Sequence, residues 1–249
     1  MEKFSIYDLL ALILPGALFV FFLSVFNKIF GIIQIDLNFS QWELIIGVYL
    51  CLIIIFGALL YIIGFWSKSS FFNKVFKFHI KVYNIYHCKT ELCDTMSEVL
   101  NQKSQDWYNN VIFNKEDDFN NLCDDDKKKQ SKLMDKFYDR MYYELEYLNL
   151  IDTPKTFQSF YLFFREIILA SSILIVFGIL LYLLVFIIWC FSLTQFISTP
   201  DIQNTVITFT VLLFFLISST ILARWYRKRM VLKMFWAYFT YLNLNNNNQ

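Results

Sequence analysis

His87 and Cys88, followed by Cys93 and Cys123, are the residues of this chain whose types could do chemistry. One imidazole and three thiolates would suit a tetrahedral zinc ion, with His79 as a further donor. The spacing argues against it. No CxxC or CxxH clip is present, and Cys123 lies thirty residues beyond Cys93 in a polar stretch rich in Asn and Asp. The preferred reading is of reduced cysteines packed as small hydrophobes, with structural zinc as the alternative. A Cys/His nucleophile pair is disfavoured, because residues adjacent in sequence seldom align for proton transfer.

Other chemistries need residues that the chain does not supply. All six glycines, Gly16, Gly31, Gly47, Gly57, Gly64 and Gly178, sit in or beside long apolar runs. A Walker loop or dinucleotide fingerprint needs glycine where backbone approaches phosphate, and the long hydrophilic segment has none. No GxSxG, HExxH or EF-hand pattern occurs. No catalytic residue, cofactor or resident metal is expected, and the chain does not read as an enzyme.

The elements that would carry these residues are dominated by four apolar runs, 6–26, 44–66, 167–191 and 205–223. Each matches or exceeds the roughly 19–20 residues a helix needs to cross a hydrocarbon core about 30 Å thick. Only Asp8 places a formal charge inside any of them, and 57% of the chain is hydrophobic, with 29 Phe. The expectation is an all-α integral membrane protein of four transmembrane helices. The first run has a weak positive flank and no small-x-small site after Phe26, so it is expected to be retained rather than cleaved. Ser5-Ile6-Tyr7-Asp8 reads as its capping box.

Charge sets the orientation. Fifteen basic residues lie in 67–166 and five more follow Ala223, while the loops between runs one and two and between three and four hold only Lys28. With Lys3, 21 of 22 cations fall on one side. The positive-inside rule puts that side in the cytosol, with both termini, so the expected location is a cytoplasmic membrane crossed several times. The expected organisation is a transmembrane hairpin over 1–66, a cytosolic insert over 67–166, a second hairpin over 167–223 and a cytosolic tail over 224–249.

The insert balances its cations with sixteen acids, so nucleic acid is not an expected partner. It lacks glycine, and Pro154 is its one proline, which predicts helices rather than hairpins. Leu133, Phe137, Met141, Leu145 and Leu148 repeat at three or four residues along 127–150. Lys132 with Asp135, and Arg140 with Glu144, can pair across a turn. A weaker helix is expected over 91–102, and 71–86 is expected to continue the second span, with Phe72, Val75, Phe76 and His79 on one side. Residues 157–165 lead into the third span.

Three features remain as candidate working parts. Pro15-Gly16 should kink or loosen the first span and could act as a hinge. Hydroxyls in the last two spans (Ser171, Ser172, Thr208, Thr210, Ser218, Ser219, Thr220) suit packing and interhelical hydrogen bonds better than a pore lining. Cys51 and Cys190 are expected to pack. Arg224, Trp225, Arg227, Lys228 and Arg229 form a basic, aromatic membrane-interface or lipid contact. The aromatic tail beyond them could lie on the leaflet, pack against the insert or bind a partner, and 243–249 has no expected structure.

Ser5-Ile6-Tyr7-Asp8-Leu9-Leu10 with Pro15-Gly16-Ala17, Leu60-Tyr61-Ile62-Ile63-Gly64 and Phe160–Ile168 resemble segments of small bacterial four-span inner-membrane proteins of phage-defence islands. The resemblance implies a non-enzymatic, oligomeric membrane sensor or effector. It would act with a separate cytosolic protein, as in two-component systems such as Kiwa, coupling a cytosolic cue to the bilayer in antiviral defence. The alternative is an ion channel or small-solute transporter with a regulatory insert.

The topology has a direct test. Alkaline phosphatase fused after Phe39 or Thr199 should be active, and fused after Ser104 or Leu242 inactive; the opposite pattern would invert the chain.

Overall fold

The structure, a computed structural model, describes residues 6–31, 42–66, 71–86, 96, 98–100, 102–103, 127–190 and 201–246. The described residues fold into helices without a strand: α1 (Ile6–Phe30), α2 (Trp42–Trp66), α3 (Phe71–Phe76), α4 (Val82–Tyr86), α5 (Lys127–Tyr147), α6 (Asp152–Cys190) and α7 (Ile202–Asn246). Four of them, α1, α2, α6 and α7, are long and apolar enough to cross a membrane. The all-α, four-span architecture is therefore as the apolar runs predict. The chain divides into two compact units, one formed by Met1–Phe78 with Ser159–Ala223, the other by His79–Gln158 with Arg224–Gln249. The tail thus belongs with the insert, and the two hairpins form one unit.

The first unit is held by close helix packing. On α2, Gly57 and Leu60 are buried and Phe56 is half-buried, while Ile54, Ile55, Leu59 and Ile62 are exposed. Its seam continues to Gly64, a spacing of three and four residues that keeps one face inward. A Cβ on Gly16 of α1 would strike the Ile53 carbonyl oxygen and lie 2.9 Å from the Gly57 nitrogen. A Cβ on Gly57 would in turn strike the Leu12 carbonyl. The two helices therefore meet backbone to backbone, each glycine against a carbonyl four residues before the other glycine. Small residues permit this approach in lipid, where apolar burial alone gives helices little reason to associate. The helix runs unbroken through Pro15. At Gly178 of α6, a Cβ would lie 2.8 Å from the rings of both Phe26 and Phe209, so this glycine seats an aromatic cluster shared by α1, α6 and α7. The remaining faces of α2, α6 and α7 expose Ile, Leu, Val and Phe in a continuity that only lipid tolerates.

The hydroxyls correct an expectation. Ser172, Thr208, Thr210, Ser218 and Thr220 each donate to the carbonyl four residues earlier in their own helix, at 2.7–2.8 Å. The nearest acceptor in hydrocarbon is the helix itself, so these groups are satisfied locally rather than between helices. Cys51 and Cys190 also differ from expectation: both are exposed, not packed.

The second unit is built around α5 and the carboxyl-terminal part of α7. Phe137, Met141 and Leu145 of α5 are buried as their period predicts, whereas Leu148, just past the helix, is exposed. They meet Met230, Met234, Phe235, Tyr238 and Leu242, which repeat at three and four residues along α7, together with Val82, Ile85, Met96 and Leu100. Phe137 packs edge-on to Tyr238 and Tyr138 edge-on to Phe235. Arg140 pairs with Glu144 at 3.9 Å, as its spacing suggests. Of the three fates open to the aromatic tail, packing against the insert is the one adopted, and the helix continues to Asn246. The expected helix over 71–86 instead breaks. Lys77 takes a left-handed φ of 49°, separating α3 from α4, and Phe78 is buried while Val75 is exposed. Lys132 of the expected Lys132–Asp135 pair, and most of 91–102, lie outside the residues whose side chains are described.

Two helix boundaries show their local cause. Asn149 is left-handed at φ 56°, its N–H bonds Glu146 and that of Leu150 bonds Leu145, a Schellman cap that turns the chain toward α6. Lys155 of α6 then reaches Glu146 at 2.5 Å. At the start of α7, the Asp201 carboxylate accepts the backbone N–H groups of Gln203 and Asn204.

The glycine contact predicts a graded outcome. Gly57→Ala should destabilise the purified chain by about 1–3 kcal/mol, since backbone on the facing helix cannot yield as a side chain can. Gly47→Ala, where a Cβ meets nothing within 4 Å, should leave stability near wild type. Thermal unfolding in detergent reads both.

Candidate functional site

Two places in the described structure gather polar side chains under constraint. The first is Arg165–Glu166 on α6, in the first unit. Arg165 Nη2 donates to Glu166 Oε1 at 3.0 Å, and the two side chains are 1% and 0% exposed. Residues adjacent on a helix point about 100° apart, so pairing draws both off their natural directions. Room for the guanidinium comes from Gly64 of α2, where a Cβ would lie 2.8 Å from Arg165 Nη2 and 2.9 Å from Nε. The Tyr61 ring adds a cation–π contact at 5.9 Å. Among the described residues, Arg165 Nε and Nη1 and Glu166 Oε2 have no hydrogen-bond partner. Burying a charged pair costs more than a single ion-pair contact returns, so the site holds unused donor and acceptor capacity. In the sequence Arg165 had counted only as a topological cation. A neighbouring acid and a glycine at a helix end were the available signals, and neither implies contact.

The second place is the basic, aromatic stripe on α7, in the second unit. The structure divides the expected cluster. Arg227 is buried: its Nε donates to the Ile80 carbonyl at 3.4 Å, and its guanidinium sits 5.8 Å from the Tyr138 ring. It is a core cation that ties the segment before α4 to α7, not a lipid-facing one. Burial pushes the Tyr138 phenol up to about 12 against the opposing pull of Arg227, so this group stays neutral throughout the physiological range. Trp225, Lys228 and Arg229 line a groove of about 280 Å³ with three further residues, Leu232, Lys233 and Trp236. Positions 225, 228, 229, 232, 233 and 236 fall on one helical stripe. The Arg229 guanidinium lies 5.3 Å from the Trp225 ring centroid, and Trp225 is braced by Phe157 and Tyr226. Lys233 and Trp236 were missed because nothing in the local sequence separates them from the tail residues that enter the core.

Pro15 and Gly16 lie in α1, with Gly16 against the backbone of α2 as described above. His87, Cys88, Cys93 and Cys123 lie outside the described residues. Among the described residues no group of three His, Cys, Asp or Glu side chains could hold a metal ion. His79 is half-buried between α3 and α4.

No family model, no curated protein and no solved structure matches this chain.

The ion pair makes a distinguishing prediction. Arg165→Leu alone leaves a buried carboxylate unopposed and should cost about 3–5 kcal/mol. Adding Glu166→Leu should recover much of that loss. A double variant no more stable than the single one, measured by unfolding in detergent, would show that the two charges act independently.

Proposed function

We propose that this chain is a multi-pass membrane sensor or effector that couples a cytosolic cue to the bilayer, with both termini and the second unit in the cytosol. The single observation that carries the reading is that α6 and α7 each supply residues to both units. α6 gives Asp152–Gln158 to the second and Ser159–Cys190 to the first; α7 gives Ile202–Ala223 to the first and Arg224–Asn246 to the second. A continuous helix transmits rotation or translation along its axis, because each residue is tied to its neighbours four positions away. A cue that repacks α5 against the end of α7 thus has a covalent path to the spans.

Support for the orientation comes from the cation distribution, and for an oligomeric role in antiviral defence, with a separate cytosolic protein, from the short segments that resemble membrane proteins of phage-defence islands. A channel or transporter has less behind it. The hydroxyls of the last two spans that would line a pore are largely spent on their own helices, and the large exposed side chains of the described spans are apolar.

The coupling is tested by reconstituting the full chain in nanodiscs of two bilayer thicknesses and following amide exchange in Lys127–Tyr147. The exchange should differ between the two discs. Inserting Gly-Gly between Ala223 and Arg224, together with a second pair between Gln158 and Ser159, should abolish the difference. Identical exchange for the uninterrupted chain would remove the reading. Spontaneous ion flux through liposomes carrying the unmodified chain would favour the channel.

A further inference from the structure

We infer that the groove on α7 formed by Trp225, Lys228, Arg229, Leu232, Lys233 and Trp236 binds the phosphate headgroup of an anionic phospholipid. The inference goes beyond the coupling reading and stands independently of it.

Charge is the first argument. The groove is lined by three cations and no acid. All of α7, 45 residues long, contains no Asp or Glu, while it carries five cations between Arg224 and Lys233. The local field therefore favours an anion without an internal competitor on the same helix. Arg offers a planar set of donors and the two lysines offer compact, mobile charges, a combination suited to a phosphodiester with its oxygens presented on several sides.

Shape and chemistry select a lipid over other anions. Leu232 is buried at the groove floor, so the recess is amphipathic rather than wholly polar. Trp225 and Trp236 stand exposed at its two ends, 11 positions or about 16 Å apart along the helix. Indole rings partition to the boundary between headgroups and hydrocarbon, where an apolar face and an N–H are both useful. The stripe also begins two residues past the apolar run ending at Ala223, which keeps it at headgroup depth in sequence. A single-stranded nucleic acid would prefer aromatics interleaved with the cations as stacking platforms. Here the two indoles bracket the cations instead.

The recess is held ready for its ligand. Arg229 is fixed over Trp225, and Trp225 over Phe157 and Tyr226, while Trp236 packs edge-on to Phe239. Little side-chain freedom is left to lose on binding at the aromatic positions, which favours retention of a particular headgroup over a diffuse charge effect.

The test uses the full chain purified in a neutral detergent and native mass spectrometry of retained lipid, with phosphatidylglycerol and phosphatidylcholine of matched acyl chains. Phosphatidylglycerol should be retained about tenfold or more over phosphatidylcholine. In the Lys228→Gln, Arg229→Gln, Lys233→Gln variant that preference should disappear while the thermal midpoint remains that of the wild type. Arg224→Gln, outside the groove, should keep it. An unchanged preference in the triple variant, or an equal loss in Arg224→Gln, overturns the site. Should the triple variant misfold, Trp236→Leu replaces it, with a reduced preference expected and a wild-type preference fatal to the proposal. Displacement of the lipid by inorganic phosphate at matched concentration would mark a free-anion site. Displacement by a short single-stranded oligonucleotide would mark a nucleic-acid site. Either result overturns the lipid assignment.

Discussion

The backbone contact between Gly16 and Gly57 is the constraint from which the membrane unit follows. In water, two apolar helices associate because both leave solvent; in lipid that incentive is gone, and what remains is dispersion at close range and weak Cα–H···O contacts. Both require the helix axes to approach until a methyl group no longer fits. Gly16 lies against the Ile53 carbonyl and Gly57 against the Leu12 carbonyl, so the contact is reciprocal. Once α1 and α2 are locked there, Gly64, seven residues on, faces the same way and receives Arg165, while Phe26 is carried toward Gly178 of α6. Packing then accounts for Gly16, Gly57, Gly64 and Gly178, four of the six glycines that lie in or beside the apolar runs.

The Arg165–Glu166 pair is a different kind of constraint. Each unpartnered donor or acceptor in a low-dielectric setting costs of order 1–3 kcal/mol, so a site with three of them among the described residues is not what stability alone would select. Aliphatic residues in both positions would pack without that burden. A second arrangement of α6 relative to α2 that satisfies these groups would be favoured by the same energies. The coupling proposed above through α6 would draw on such a second seat. Gly64 makes the present seat available because it leaves the guanidinium a space no side chain occupies.

What was legible in the sequence, and what was not, divides along the range of the interactions. The four spans could be read because lipid imposes one rule on every residue of a span, and the α5 stripe because Phe137, Met141 and Leu145 answer to a single face. The helix ends were not legible from hydropathy. α6 begins at Asp152 and α7 ends at Asn246, far outside the apolar runs at 167–191 and 205–223, since a helix stops where its hydrogen bonding is capped and not where its side chains become polar. The break at Lys77 follows from a left-handed residue with no glycine to announce it. The expected basic cluster divides for a related reason. Arg227 and Lys228 are neighbours with the same charge, and only the position of Tyr138 and Ile80, distant in sequence, sends one into the core and leaves the other on the groove.

That division of neighbouring cations explains how α7 can serve two solvents and still carry a site. From Val206 to Ala223 its exposed residues are apolar apart from Thr210, and Thr208, Thr210, Ser218 and Thr220 close on the helix's own carbonyls. From Arg224 onward one face, through Met230, Met234, Phe235, Tyr238 and Leu242, replaces lipid with the α5 core. The core consumes one cation, Arg227, and in doing so fixes the rotation of the helix about its axis. Because Arg227 is anchored to Ile80 and Tyr138, the residues one and two positions on, Lys228 and Arg229, must stand outside that core. The presentation of the basic stripe is therefore a consequence of core packing rather than of surface composition. Any event that loosens α5 from α7 would release the anchor that holds the stripe outside that core.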